Sequence, residues 1–137
     1  LMSATILALA GYILWTMLLL LLLAGYRTAI SKQQGTLKFA ADGSDVPDVG
    51  HRITRAQANC AESFVFIGGT MLLALTTQSA AITDGLAFIV LGARILQSIT
   101  HLLSTSNMAI QIRFVFFLVQ FGICGYWLAM IAAKFMG

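Results

Sequence analysis

Apolar and polar positions alternate along this chain in four long blocks. Leu1 to Tyr26 contains no charged side chain, and as a helix its 26 positions reach about 39 Å, enough to cross the roughly 30 Å hydrocarbon layer of a bilayer with some tilt. The run is too long for a cleavable signal and has no basic residue before it, so a retained span is expected. From Arg27 the composition changes: Lys32, Lys38, Asp42, Asp45 and Asp48 appear with Gly35, Gly43 and Pro47, the signature of a polar loop running to Arg52. A second span is expected over about 53–78. The segment Thr77 to Asp84 makes a short turn, with Asp84 available to cap the helix that follows. A third span is expected over about 85–104, a break at Ser104-Thr105-Ser106-Asn107, and a fourth over about 108–134, with Phe114 to Ala133 free of charge. The expected fold is an all-α integral membrane four-helix bundle, with residues 1–137 as a single membrane domain.

Composition strengthens this picture. The chain is 59% hydrophobic and only 9% charged, against about 25% charged in soluble domains, and its mean hydropathy is +0.90. A net charge of +3 would suit a nucleic-acid partner only if the basic groups formed a stripe, and here they are scattered, so nucleic acid is rejected. Cys60 and Cys124 lie in expected helices without metal-type spacing, which indicates neither a disulfide framework nor a metal site. Arg27, Lys32, Lys38, Arg52 and Arg55 cluster around the first loop while the Thr77 to Asp84 turn has no basic residue. The excess of basic residues on short cytoplasmic loops therefore puts the first and third loops in the cytoplasm and both termini outside. In a bacterium this is the inner membrane.

The chemistry is concentrated in Arg52 to Glu62, RITRAQANCAE. At about 100° per residue, Arg52, Arg55, Asn59 and Glu62 fall at roughly 60°, 0°, 40° and −20°, within one arc about 80° wide. The apolar run that follows, Ser63 to Leu75, is too short to span unaided, so the helix must carry Glu62 below the membrane surface. An acid there costs several kcal/mol unless it is paired or faces a wet interior. The third span carries Arg94, Ser98 and His101 at i, i+4 and i+7, with Gln97 to one side, and the fourth carries Arg113, Phe117 and Gln120 at the same spacing. The topology brings Arg52, Arg55, Glu62, Arg94, His101 and Arg113 to one membrane surface. Glu62 is expected to be held ionised by an arginine, Arg94 first. Arginines suit carboxylates, a buried Glu suits an ammonium group, and Asn59 and Gln57 suit amides. The implied ligand is small and extended, with carboxylates and an amine; zwitterionic peptides and lipid head groups both satisfy it.

The pattern R-x-x-R-A-Q-x-N-x-x-E on a second hydrophobic helix, preceded by Pro47-Asp48-Val49, resembles the MAPEG family, the membrane-associated proteins in eicosanoid and glutathione metabolism. The resemblance is looser over Arg94 to Arg113 and otherwise rests on the four-span hydropathy. It selects glutathione among the possible ligands, held by Arg52, Arg55, Asn59, Glu62, Arg94 and His101, with Arg113 as the catalytic arginine at the start of the fourth span. It also implies a homotrimer with glutathione between subunits. The chain departs from the family pattern at three positions: Phe117 replaces an aromatic hydroxyl, His101 stands where some members have Tyr, and Gln97 where they have His. The expected activity is transfer of glutathione to a lipophilic electrophile, or reduction of a lipophilic hydroperoxide at its expense. The competing expectation is a non-catalytic membrane protein whose polar face binds a lipid head group or holds the oligomer together.

Overall fold

Ser3 starts the first helix, its Oγ accepting from the Ile6 N–H at 3.3 Å, as an N-cap should. In the computed structural model, which describes residues 3–35, 38–40 and 48–137 with only the backbone of Gln34, this helix, α1, runs Ala4–Gln34. It continues well past the expected end at Tyr26. Hydropathy marks where a helix leaves lipid, not where it stops; beyond Tyr26, Thr28 Oγ1 and Ser31 Oγ donate back to the Ala24 and Thr28 carbonyls. The stop is Gly35, at φ 70°, whose N–H reaches Ser31 O at 2.7 Å, a left-handed cap that glycine adopts without strain.

Helix α2 (Asp48–Thr76) begins earlier than expected, and Asp48 in its first turn suits the positive end of the helix dipole. Its first turn packs on α1 at Gly50, where a Cβ would stand 2.3 Å from the Tyr26 ring. Asp42, Gly43, Asp45 and Pro47 of the expected loop lie outside the described residues. A one-turn helix, α3 (Ala80–Thr83), follows within the expected turn, then α4 (Ala87–Leu103) and α5 (Asn107–Met136). Among the described residues there is no strand. Helices α1, α2 and α5 are long and apolar enough to cross a membrane, and α4 is a shorter apolar helix.

The helices enclose a core of Tyr12, Leu19, Ile67, Met71, Val90 and Trp127. Leu14, Leu21, Val65, Phe114 and Phe121 are exposed, as side chains meeting lipid would be. Tyr12 and Trp127 are fully buried core residues. The Tyr12 hydroxyl donates to the Cys60 carbonyl, tying α1 to α2.

One end of the bundle is fastened by Asp84. Its Oδ1 accepts from the Thr5 N–H at 2.9 Å and from the Thr5 hydroxyl, so it caps α1 instead of the helix after it. The physical reason is distance along the chain: α4 begins only at Ala87, after Leu86. At the same end Lys134 donates to Gln78 O and Ser79 Oγ, both at 3.0 Å. The chain is a multi-pass membrane helical bundle, and its chemistry lies at the other end.

Candidate functional site

That other end is where α2 begins, α4 ends and α5 begins. Arg52 Nε donates to Leu102 O at 2.9 Å, so the first of the four polar residues on α2 ties it to one of the carbonyls left free at the C-terminus of α4. A cavity of about 260 Å³ opens between the same three helices, lined by Asn59, Gln97, His101, Ile110, Arg113, Phe114 and Phe117. Three of the residues singled out by spacing, Asn59, His101 and Arg113, therefore face one space.

Behind the cavity lies a fully buried guanidinium. Arg94 donates through Nη1 to Asn59 Oδ1 at 2.7 Å and through Nε to Gln120 Oε1 at 2.9 Å. Gln120 passes the link on, its Nε2 donating to Gln97 Oε1 at 2.7 Å and to the Phe116 carbonyl at 2.8 Å. Gln97 Nε2 closes the ring on Asn59 Oδ1 at 3.3 Å. Arg94 Nη2 has no partner among the described residues.

The expectation that Arg94 pairs with Glu62 is overturned. Arg94 is held by amides through Nε and Nη1, and Glu62 is exposed on the outside of α2, with no ion-pair partner among the described residues. The buried side of α2 is formed by Ala56, Cys60, Ser63, Ile67 and Thr70, whose helical angles centre roughly 100° round from Arg55. Arg52 and Asn59, at about 60° and 40°, reach the edge of that side, whereas Glu62, at about −20°, points away. A shared arc did not mean a shared neighbour.

Arg55 is half-buried, and its charge acts on both Arg113 and His101. Arg113 Nε is buried without a partner. Two guanidinium groups thus stand near one small cavity, with no carboxylate paired to either among the described residues. Such a space favours an anion with planar acceptors, since guanidinium offers five N–H donors and no acceptor. Phe114 and Phe117 stack at 6.3 Å between centroids and give the cavity an apolar wall. Gln97 and Gln120, which helical spacing put on the polar faces, were not among the expected ligand-binding residues and belong to the amide ring around Arg94. The available signal was Gln120 itself, the one strongly polar side chain in the uncharged run of α5.

A lone thiol does not enter this arrangement. Cys60 is fully buried, its Sγ 3.3 Å from Thr16 Oγ1, and Cys124 is buried among apolar groups.

Among known proteins, the family model described as MAPEG family matches residues 5–133. No curated protein and no solved structure matches the chain.

Proposed function

The chain belongs to the MAPEG family, and from that premise we propose that it binds glutathione at the cavity between α2, α4 and α5, on the cytoplasmic side of the membrane. There it acts as a glutathione transferase or peroxidase on lipophilic electrophiles or hydroperoxides. The observation that carries this reading is that Arg113, its buried Nε unpartnered among the described residues, lines a cavity together with Asn59, Gln97 and His101 and with no acid among its lining residues.

The donor set fits glutathione. One of its carboxylates matches the guanidinium of Arg55, its sulfur anion matches that of Arg113, and its amides match the carboxamides of Asn59 and Gln97. When bound, glutathione supplies a thiol whose nucleophilic form is the thiolate. Arg113 holds positive charge at the cavity wall and favours an anion there; His101, on the same wall, offers a ring nitrogen that can donate or accept. Phe114 and Phe117 keep that side apolar and admit a lipophilic partner from the bilayer. Arg52 and Arg94 support the site from behind, through the Leu102 carbonyl and Asn59.

The cavity's 260 Å³ is below the roughly 300–1,000 Å³ usual for ligand pockets. A tripeptide would extend beyond it, which suits a homotrimer in which a neighbouring subunit completes the site. Glu62, a charge exposed on a membrane-spanning helix, then faces the neighbour and is free to meet the ligand's ammonium group.

The second reading, a membrane protein without catalysis, has one observation in its favour: Arg94 Nε and Nη1 are both engaged in a ring of amides that knits the bundle. Isothermal titration of the detergent-solubilised protein with glutathione and with its S-methyl analogue, followed by a turnover assay on hydrophobic electrophiles and hydroperoxides, separates the two. Binding with turnover supports the enzyme. Binding of lipid head groups alone supports the second reading.

A further inference from the structure

Amide side chains ordinarily leave open which end is oxygen and which nitrogen, because the two look alike. Here the chemistry of one residue decides it for three amides in turn. Arg94 has only donors, so the Asn59 atom 2.7 Å from Nη1 and the Gln120 atom 2.9 Å from Nε must both be oxygens. With its oxygen so committed, Gln120 presents its NH2 on the other side, and both N–H groups are used, on Gln97 Oε1 and Phe116 O. Gln97 then has its oxygen turned inward and its NH2 directed at Asn59 Oδ1. Asn59 Oδ1 already accepts from two donors, which leaves the Asn59 Nδ2 protons, with the second proton on Gln97 Nε2, for the cavity.

We infer that Gln120 is a positioning residue: through Arg94 and Gln97 it fixes the polarity of the cavity wall, so that the amides of Asn59 and Gln97 turn their NH2 groups rather than their oxygens toward whatever anion lies beside Arg113. Gln120 never touches the ligand. It is fully buried and acts by relaying the orientation of a guanidinium to the amides at the wall. A wall of donors discriminates between ligands of one shape: it favours a negatively charged sulfur group and gives nothing to an uncharged thioether. The inference rests on the proposed reading of the cavity as the glutathione site.

Two variants test it. Gln120→Glu keeps the shape and the acceptor for Arg94, but an ionised carboxylate has no proton for Gln97, whose amide must then turn over and direct its oxygen toward Asn59. Gln120→Met removes both links without adding charge, and frees Gln97. The full-length protein in detergent is titrated with glutathione sulfonate, which carries an anion at the sulfur position, and with S-methylglutathione, which does not. Both variants are expected to bind the sulfonate several-fold more weakly, about tenfold for Gln120→Glu, and the S-methyl compound within twofold of wild type. Equal loss for both ligands would mean general structural damage and overturn the inference. Loss in Gln120→Glu alone would assign the effect to added charge and overturn it also, as would unchanged binding in both variants. A ligand-free arm keeps the outcome separate from the fate of the glutathione reading: in protein labelled with 15N-glutamine, the Gln97 side-chain amide signals should move in Gln120→Glu. If they do not move, the relay is absent, whether or not wild type binds glutathione.

Discussion

Arg94 Nη1 meets Asn59 Oδ1 at 2.7 Å across the bundle, so a fully buried guanidinium on α4 is held by a residue on the polar edge of α2. This contact connects what the membrane tolerates to what the cavity offers. Arg94 is the most costly side chain in the core to leave unpaired, and Asn59 is the partner that also lines the cavity.

Asn59→Leu should therefore weaken the fold. It leaves Nη1 unpartnered beside Nη2, which already has none, and an unsatisfied buried polar group costs about 1–3 kcal/mol, more when charged. A drop of that order should appear in thermal or denaturant unfolding in detergent. Arg94→Met, which removes the charge and leaves only the neutral Gln120 Oε1 without its donor, since Asn59 Oδ1 keeps Gln97 Nε2, should be milder than Asn59→Leu, because an unsatisfied neutral group costs less than an unsatisfied charged one. The reverse ranking would mean that the Arg94 charge is not buried in the membrane-embedded protein.

The spans were legible because apolar runs report lipid contact directly, and Asn59, His101 and Arg113 were legible because helical spacing fixes faces. The rest depended on neighbours that a single helix does not name. Glu62 shares an arc with Asn59, yet only the packing of Cys60 and Ser63 against the other helices shows on which side of the arc the interior lies. Asp84 reads as a cap for the next helix in sequence and caps α1 instead, 79 residues away from Thr5. Gln120 falls on one face with Arg113 and Phe117 by helical spacing; its role required knowing that Arg94 stands opposite. The end of α1 lies beyond the expected one because hydropathy falls where the membrane ends, while Gly35 sets where the helix ends.

Glu62→Ala should leave the fold of the individual subunit unchanged to within about 0.5 kcal/mol, the range for surface positions, because no ion pair is lost within the chain. An exposed carboxylate in a span is nonetheless costly unless something outside the chain meets it. The effect should then appear in assembly and in glutathione affinity. Light scattering of the detergent complex should report more monomer, and titration a weaker Kd. Intact trimers with unchanged affinity would take Glu62 out of both roles.

Orientation is open to direct labelling. Basic residues near span ends, rather than net charge, set topology, and Arg27, Lys32, Arg52 and Arg55 all lie at the end that carries the cavity. A cysteine introduced as Gly43→Cys should be reached by a membrane-impermeant maleimide from the cytoplasmic side only. Background from the native thiols should be low, because Cys60 and Cys124 are buried. Labelling from outside in sealed, right-side-out vesicles would reverse the topology and remove the cavity from cytosolic glutathione.

Arg113 and Arg55 stand near the same cavity but should affect turnover differently. Arg113 lines it directly, with Nε buried and unpartnered, whereas Arg55 acts from beside it through its charge. A group that stabilises charge developing in the reaction lowers kcat when removed, and one that only holds the ligand raises KM. Arg113→Ala should lose on the order of 10²-fold in kcat, as deletion of an electrostatic stabiliser does elsewhere, and Arg55→Ala should chiefly raise KM for glutathione. Bound thiolate, followed by its ultraviolet absorbance, should form in wild type and in Arg55→Ala at saturating glutathione and be absent in Arg113→Ala while affinity persists. If Arg113→Ala keeps both absorbance and turnover, the thiol is activated by another group, and His101, on the same wall, is the next residue to replace.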